Sequence, residues 1–328
     1  MGFTIYKSTD TSAPQLKGDS GSLLAVLDSC LVNGYDVKPG AGWDKPIVNG
    51  TNYGMYKINT GSSQCAYFLN DAASGSAAEA LLTGWDSITS IDNAKVTGSN
   101  QFPIVTQIPF ASGSVVIRKS FTTSSVTTRP WIIFADSRSV YGFVLTGDTV
   151  VEAASTYYAF GFGEYYSLKS GSIDAARCMI MGRNAASSSA VANEGMDTLS
   201  AALTTGVVGC YSNRLYSGLG NSSFLGKHGD GVKGSTTKLV GHVPYLNSQD
   251  SGLYISPVWI TDSTTGIIKG RLRGFYQFCH TGSNLNDGQI FSGSADFSGR
   301  TFQVVSHSVN SGIYFIETSD TLETSPDV

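Results

Sequence analysis

The clearest helical period in the chain lies near the N-terminus. Its apolar positions recur at spacings of three and four residues, at Leu23, Leu24, Leu27, Cys30 and Leu31. Asp19 and Ser20 precede this stripe and have side chains suited to capping a helix N-terminus. Gly34 follows it and provides the usual stop signal. The pattern predicts a helix over residues 20–33 that buries one apolar stripe in the core.

Beyond this helix the hydrophobic pattern is typical of strands. Short runs of β-branched and aromatic residues alternate with turns rich in Gly, Ser and Asn. The runs predict strands at residues 53–58, 66–69, 114–119, 131–135, 141–145, 157–168, 178–181, 253–260, 267–278, 301–305 and 313–317. Glycines inside the runs 157–168 and 267–278 predict bulges or close backbone approach. With a second, weaker helix at 196–203, the predicted fold is mainly β, with sandwich or barrel-like antiparallel sheets and one or two short helices.

Length allows two domains, because 328 residues at about 150 residues per domain exceed one average unit. A change in pattern near Gly206 predicts an N-terminal β-rich domain at 1–205 and a C-terminal β domain with an extended tail at 206–328. A single large β domain is the alternative. The polar segments 8–17 and 318–328 are predicted to be arms that become ordered on a neighbouring subunit.

Charge and composition exclude several classes of protein. Only 14% of residues are charged, against about 25% in an average soluble domain, which excludes a coiled coil or a charge-rich helical bundle. The net charge of −4 provides no general attraction to nucleic acid or to an anionic membrane. No apolar run approaches the ~20 residues of a membrane-spanning helix. We therefore expect no direct nucleic-acid binding and no membrane association.

The cysteines and the N-terminus predict a reducing compartment. The five cysteines are odd in number and lack C-x-x-C spacing, so the expectation is free thiols in a cytosol. The first residues lack the basic segment and apolar run of a secretory signal.

The usual cofactor and metal motifs are absent from the sequence. Gly226-Lys227-His228 lacks the spacing and the Ser or Thr of a phosphate loop. The four histidines are scattered, and adjacent Cys279 and His280 would point to opposite faces of a strand. The sequence thus predicts no cofactor and no metal, and a protein that is not an enzyme. A polysaccharide hydrolase is kept as an alternative because carboxylates are available at Glu152, Glu164, Asp174, Asp230 and Asp262.

Two further patterns point to binding surfaces. Aromatic residues at Tyr254, Trp259 and 157–166 provide stacking platforms for a host glycan, which makes a glycan-binding module another alternative. Alternation along 269–275 places Lys269, Arg271 and Arg273 on one strand face, which predicts a solvated or interface-paired face.

Several sequence blocks resemble a family of uncharacterised virion structural proteins of tailed bacteriophages. The resemblance rests on residues 18–35, Gly42-Trp43 with Lys45-Pro46, Arg129-Pro130-Trp131, 226–234, Ser256-Pro257-Val258-Trp259, 270–275 and the ending 316–324. It covers nearly the whole chain and carries no catalytic residues to transfer.

The resemblance implies a virion part that is made in the host cytoplasm. Such a protein is expected to assemble as a symmetric homo-oligomer on other virion structural proteins. A neck, tail or baseplate position is favoured over capsid decoration. The residues predicted to lie in its interfaces, besides the two termini, are Leu23, Leu27, Leu31, Lys269, Arg271, Arg273 and Phe275.

Overall fold

A computed structural model of the chain describes most of its secondary structure. The described residues are 2–59, 65–72, 79–105, 113–120, 127–145, 157–168, 177–183, 208–214, 223–226, 255–262, 267–278, 285–306 and 313–319. The predicted helix at 196–203 lies outside them.

The predicted N-terminal helix is present and faces the core. An α-helix, α1 (Ser22–Leu27), continues as a π-helical turn over Asp28–Asn33, and Gly34 follows with φ 75°. Leu23, Leu27 and Leu31 are each at most 1% exposed, so the apolar stripe is buried as its spacing predicts. A short 3₁₀ turn over Ala295–Phe297 lies near the C-terminus.

The N-terminal cap of α1 comes from a distant residue. Gly21 occupies the cap position without a side-chain hydrogen bond. The carboxylate of Asp71 instead accepts hydrogen bonds from the Leu23 amide at 2.8 Å and from the Leu24 amide at 3.0 Å. The prediction that Asp19 or Ser20 caps the helix is therefore wrong, because a buried carboxylate already satisfies the first amides.

Lys119 supports this cap from the other side. Its Nζ donates to Asp71 Oδ1 and to the Asp19 carbonyl, and the Lys119 and Asp71 side chains are both 0% exposed. Burial raises the pKa of Asp71, while Lys119 acts in the opposite direction. The start of the helix thus depends on a buried ion pair between segments far apart in sequence.

The strands confirm a mainly β fold. In chain order they are β1 (Thr4–Lys7), β2 (Trp43–Asp44), β3 (Val48–Asn49), β4 (Tyr53–Ile58), β5 (Ala66–Asn70), β6 (Glu79–Asp92), β7 (Lys95–Phe102), β8 (Val115–Arg118), β9 (Trp131–Ala135), β10 (Ser139–Leu145), β11 (Tyr157–Glu164), β12 (Tyr166–Ser167), β13 (Cys178–Arg183), β14 (Val208–Ser212), β15 (Ser223–Gly226), β16 (Ile255–Asp262), β17 (Ile268–Phe278), β18 (Ile290–Ser292), β19 (Thr301–Ser306) and β20 (Ile313–Glu317).

Antiparallel pairing joins these strands in three runs. In the N-terminal run, β4 pairs with β5 and β5 pairs with β6. β6 in turn pairs with both β7 and β8. The central run passes from β1 through β9, β10, β11 and β13 to β14. The C-terminal run passes from β17 through β20 and β19 to β18.

The central strands close on themselves. β14 pairs with β15, β15 with β16 and β16 with β17. Because β12 resumes the path of β11 after Tyr165 and pairs with β17, the circuit is complete. This closure is barrel-like, one of the two predicted architectures. The predicted domain boundary near Gly206 falls between β13 and β14, which pair with each other.

Gly163 is a point of close approach, as predicted for the run 157–168. Its φ is 131°, and a Cβ there would lie 2.3 Å from the Arg138 carbonyl oxygen. β11 ends one residue later at Glu164, and the chain resumes at Tyr166 as β12.

Residues 8–17 pack on their own chain. Ser8 donates its amide to the Trp131 carbonyl at 2.9 Å, and the Trp131 indole donates to the Pro14 carbonyl at 3.1 Å. Leu16 is fully buried and bridges to Arg129. The prediction that this segment is an arm awaiting a neighbouring subunit is wrong, because β9 and its flanks already hold it.

Two cysteines form a disulfide rather than the predicted free thiols. Cys65, just before β5, is bonded to Cys178 on β13, with their Cα atoms 6.3 Å apart across 113 residues of sequence. Cys30 and Cys210 are free and buried, and Cys279 lies outside the described residues. The fold brings together two cysteines whose sequence spacing gave no such signal, and the bond joins the N-terminal run to the central circuit.

Candidate functional site

The β6–β7 hairpin is the longest hairpin that the structure describes, and it bends over the N-terminal run. A register shift between Ile88 and Ser90 marks a β-bulge, a feature that bends the strand carrying it. Beyond the bulge, Ile88 and Ile91 are 8% exposed and pack with Met55 and Phe68. We call residues 86–100, the part beyond Trp85, the hairpin arch.

A second contact holds the arch in place. Asn49 on β3 donates a side-chain hydrogen bond from Nδ2 to the Ile91 carbonyl at 3.1 Å. The turn at the tip places Asn93 at φ 53°, a conformation that Asn tolerates better than most residues. The arch is therefore held against the sheet by apolar packing at Ile88 and Ile91 and by a hydrogen bond to the Ile91 carbonyl.

Under the arch lies a cleft of about 290 Å³, which we call the hairpin cleft. It is lined by Phe68, Asn70, Leu81, Thr83, Trp85, Ala94, Val96, Gln101 and Ser114. Positions 81, 83 and 85 alternate along β6 and so project from one face of the sheet. The pairings of Phe68 with Thr83 and of Trp85 with Gln101 extend that face onto β5 and β7.

The Trp85 ring is held in position within the cleft. Its Nε1 donates to Thr83 Oγ1 at 2.9 Å. A Cβ at Gly98 would lie 3.0 Å from the indole carbon Cε3, so a glycine there leaves room for the ring. Trp85 is half-buried and therefore keeps part of its ring exposed.

Two polar side chains of the cleft have donors without a partner among the described residues. Asn70 Oδ1 accepts the Ala72 amide at 3.0 Å, whereas Asn70 Nδ2 donates no hydrogen bond within the described part of the chain. Ser114 Oγ likewise has no hydrogen bond to a described residue, although Ser114 is only 7% exposed. None of the described residues that line the cleft carries a charge.

The basic residues predicted to form an interface are buried within the chain. Lys269, Arg271 and Arg273 are 4%, 8% and 6% exposed. Lys269 Nζ donates to Ser212 Oγ at 2.7 Å, and the guanidinium carbon of Arg271 lies 5.5 Å from the Tyr166 ring centroid. The alternation on β17 was predicted correctly, but the face it creates is covered by other strands.

Arg273 has an acidic partner from the β9–β10 turn. Its Nη2 donates to Asp136 Oδ2 at 2.8 Å, and both side chains are buried. Although burial acts to lower it, the neighbouring carboxylate of Asp136 raises the pKa of Arg273. The ion pair links β17 to the turn between β9 and β10.

The apolar residues of the predicted interface also lie inside the molecule. Leu23, Leu27 and Leu31 belong to the core between the helix and the N-terminal run. Phe275 is fully buried in the central core, with its ring centroid 4.9 Å from that of Tyr141. The burial of these four residues and of the three basic residues argues against their facing a neighbouring subunit, because the chain's own residues cover their side chains.

Those aromatic residues and carboxylates predicted from sequence whose side chains the structure describes do not meet in an open site. Tyr165, Tyr166 and Glu164 are buried, and burial raises the pKa of Glu164 against the lowering effect of Arg138. Trp259 is half-buried on β16. The other candidates that lie outside the described residues are Glu152, Asp174, Asp230, Tyr254, Lys227 and the four histidines.

Sequence reasoning missed the hairpin cleft. Residues 86–100 read as polar and turn-rich, without the apolar alternation of a buried strand. The available signal was weak, because the two-residue turn Asn93-Ala94 between the paired Asp92 and Lys95 begins with a turn residue but lacks the glycine of the strongest hairpin signals. The bend of the hairpin over the sheet, which creates the cleft, depends on tertiary contacts.

Comparisons with known proteins add no relatives. No protein-family model matches the chain, and no curated protein matches it. Among the described residues, no group of three or more His, Cys, Asp or Glu side chains is placed to hold a metal ion. No helix in the described part of the chain has the length and apolarity needed to span a membrane.

Proposed function

We propose that the chain is a structural component of a tailed-bacteriophage virion. It assembles there as a symmetric homo-oligomer on other virion structural proteins. A position at the neck, tail or baseplate is favoured over capsid decoration. The proposal starts from the resemblance of the sequence blocks between residues 18 and 324.

The observation that carries the proposal is where the charged residues lie. Charged residues make up only 14% of the chain, and several of them are paired in the interior. The buried pairs are Lys119–Asp71, Arg118–Glu79, Arg273–Asp136 and Arg300–Glu317. Fewer charges are then left for the surface, and depletion of charge is typical of the surfaces with which subunits contact one another.

Two measurements on particles test the proposal. We expect mass spectrometry of purified virions to detect the protein, and immunogold electron microscopy to label one structural position. Label at the neck, tail or baseplate supports the favoured position, whereas label over the head supports capsid decoration. Absence of the protein from purified virions contradicts the proposal.

Light scattering on the purified full-length protein tests the oligomer separately. We expect a mass that is a multiple of the 34.6 kDa chain. A monomer at every concentration that also fails to bind disassembled virion proteins contradicts assembly.

A further inference from the structure

We propose that the hairpin cleft is a binding site for a neutral saccharide. The proposal does not depend on a virion role, because the cleft belongs to a single chain and its binding is measured on the isolated protein. Its volume of about 290 Å³ lies near the lower end of the range of small-molecule sites.

The aromatic residues of the cleft provide the apolar half of saccharide recognition. A sugar ring presents a face of C–H groups that packs on an aromatic ring, while its hydroxyls project around the rim. The half-buried Trp85 keeps part of its indole exposed, and its hydrogen bond to Thr83 fixes the plane of the ring. A ring fixed in advance loses little conformational entropy when a ligand packs against it.

The polar residues provide the second half. Asn70 Nδ2 and Ser114 Oγ make no hydrogen bond to described residues, and both atoms belong to side chains that line the cleft. Hydroxyl groups of a sugar both donate and accept, so they match an amide nitrogen and a serine hydroxyl. A buried polar group that gains a partner on binding favours a hydroxylated ligand over a hydrocarbon.

Because the described lining residues are uncharged, the expected ligands are neutral sugars. No described lining residue is acidic or basic, so nothing among them would pair with a phosphate, a sulfate or a carboxylate. Transferring an ionised group into such a cleft without a partner is unfavourable. Sialylated, phosphorylated and uronic-acid sugars are therefore expected to bind more weakly than neutral ones.

The first experiment is saturation-transfer NMR on the full-length protein. The probes are glucose, galactose, mannose, N-acetylglucosamine and their disaccharides, with glucuronic acid and sialic acid as acidic counterparts. We expect transfer to at least one neutral sugar with a Kd of about 1 mM or tighter, and weaker transfer to the acidic sugars. An array carrying neutral bacterial surface polysaccharides beside neutral animal glycans then distinguishes the two sources of ligand.

Two variants assign the binding to the cleft. Trp85→Ala removes the aromatic surface and is expected to weaken binding about tenfold. Ala94→Phe fills the cleft from the exposed tip of the arch and is expected to abolish binding without touching the core. Thr97→Phe is the matched control, because Thr97 is exposed on β7 but does not line the cleft.

The outcomes separate clearly. Binding that is lost in Ala94→Phe and kept in Thr97→Phe supports the proposal, even if Trp85→Ala fails to fold. No transfer to any neutral sugar overturns it. So does equal binding by wild type and Ala94→Phe, or preferential binding of the acidic sugars.

Discussion

The hairpin cleft and the β17 strand use polar residues in opposite ways. The charged residues of β17 lie inside the molecule against polar or aromatic neighbours, and Arg273 forms an ion pair with Asp136. The cleft has no charge among its described lining residues, but two of its polar groups, Asn70 Nδ2 and Ser114 Oγ, have no hydrogen-bond partner among the described residues. The alternating basic residues of β17 thus belong to a buried structural strand, whereas the polar, turn-rich segment 86–100 forms the arch over the open cleft.

The largest expected effect is on stability, at the ion pair of β17. Arg273→Met leaves the buried carboxylate of Asp136 without its cation, and we expect a loss of about 3–5 kcal/mol in the free energy of unfolding. Urea denaturation measures the loss. Arg138→Met is the control, because Arg138 is 39% exposed and lies 3.5 Å from Glu164, so its loss is expected to cost less than about 1 kcal/mol.

The outcome determines whether β17 is structural. Equal, small losses of stability for Arg273→Met and Arg138→Met would mean that the basic face of β17 does not stabilise the fold. That outcome would again favour the predicted role of this face in a subunit interface. Adding Asp136→Asn to Arg273→Met is expected to recover part of the loss.

The second effect concerns the covalent bond between the two regions. Replacing Cys65 and Cys178 together by Ala removes a crosslink over 113 residues and is expected to lower the free energy of unfolding by about 2–4 kcal/mol. The folded double variant is expected to bind saccharide as the wild type does, because the hairpin arch has its own contacts.

Thiol titration provides the control for the disulfide. The denatured wild type should show two fewer reactive thiols before reduction than after it. Equal thiol counts would contradict the disulfide, and lost binding in the folded double variant would show that the cleft depends on the central circuit.

The sequence predicted the individual strands better than their tertiary partners. Strands β4 and β9 have the predicted bounds, because their β-branched and aromatic residues end at turn residues. The helix cap by Asp71 could not be predicted, because Asp71 lies 48 residues along the chain from Leu23, whose amide hydrogen bond it accepts. Local hydrophobic periodicity predicts the elements but does not predict which distant residues the fold brings into contact.

The candidate site was less predictable than the fold, for a related reason. Exposure was inferred for Lys269 and Arg273 because charged side chains are rarely buried. Arg273 is buried against Asp136 of a distant turn and Lys269 against Ser212 of β14, and neither partner was visible in the local pattern. Conversely, the arch around Ile88 lacks regular alternation because a bulge changes which face its residues occupy.

A smaller effect is expected from the pH dependence of Glu164. Burial raises its pKa above the ordinary 4.5, against Arg138, Arg273 and Arg177, while Asp136 acts in the same direction as burial. A carboxyl whose pKa is raised in the folded state stabilises the fold below the unfolded-state pKa and loses that contribution as the pH rises. Wild type should therefore lose stability relative to Glu164→Gln as the pH rises above 4.5.

Urea denaturation of both proteins across this pH range measures the difference. The opposite slope would mean that the surrounding arginines outweigh burial.

The smallest expected effect tests whether the cleft is open space. Ala94 is exposed at the tip of the arch, so Ala94→Phe should change the free energy of unfolding by less than about 0.5 kcal/mol, as should Thr97→Phe. Thermal and urea denaturation of the two variants provide the comparison. A loss above about 1 kcal/mol for Ala94→Phe alone would mean that the arch is packed closely on the sheet, because a phenyl ring would then displace existing contacts. Near-wild-type stability in both variants would instead mean that a binding defect in Ala94→Phe comes from occupation of the cleft, and the contrast with the closed face of β17 would hold.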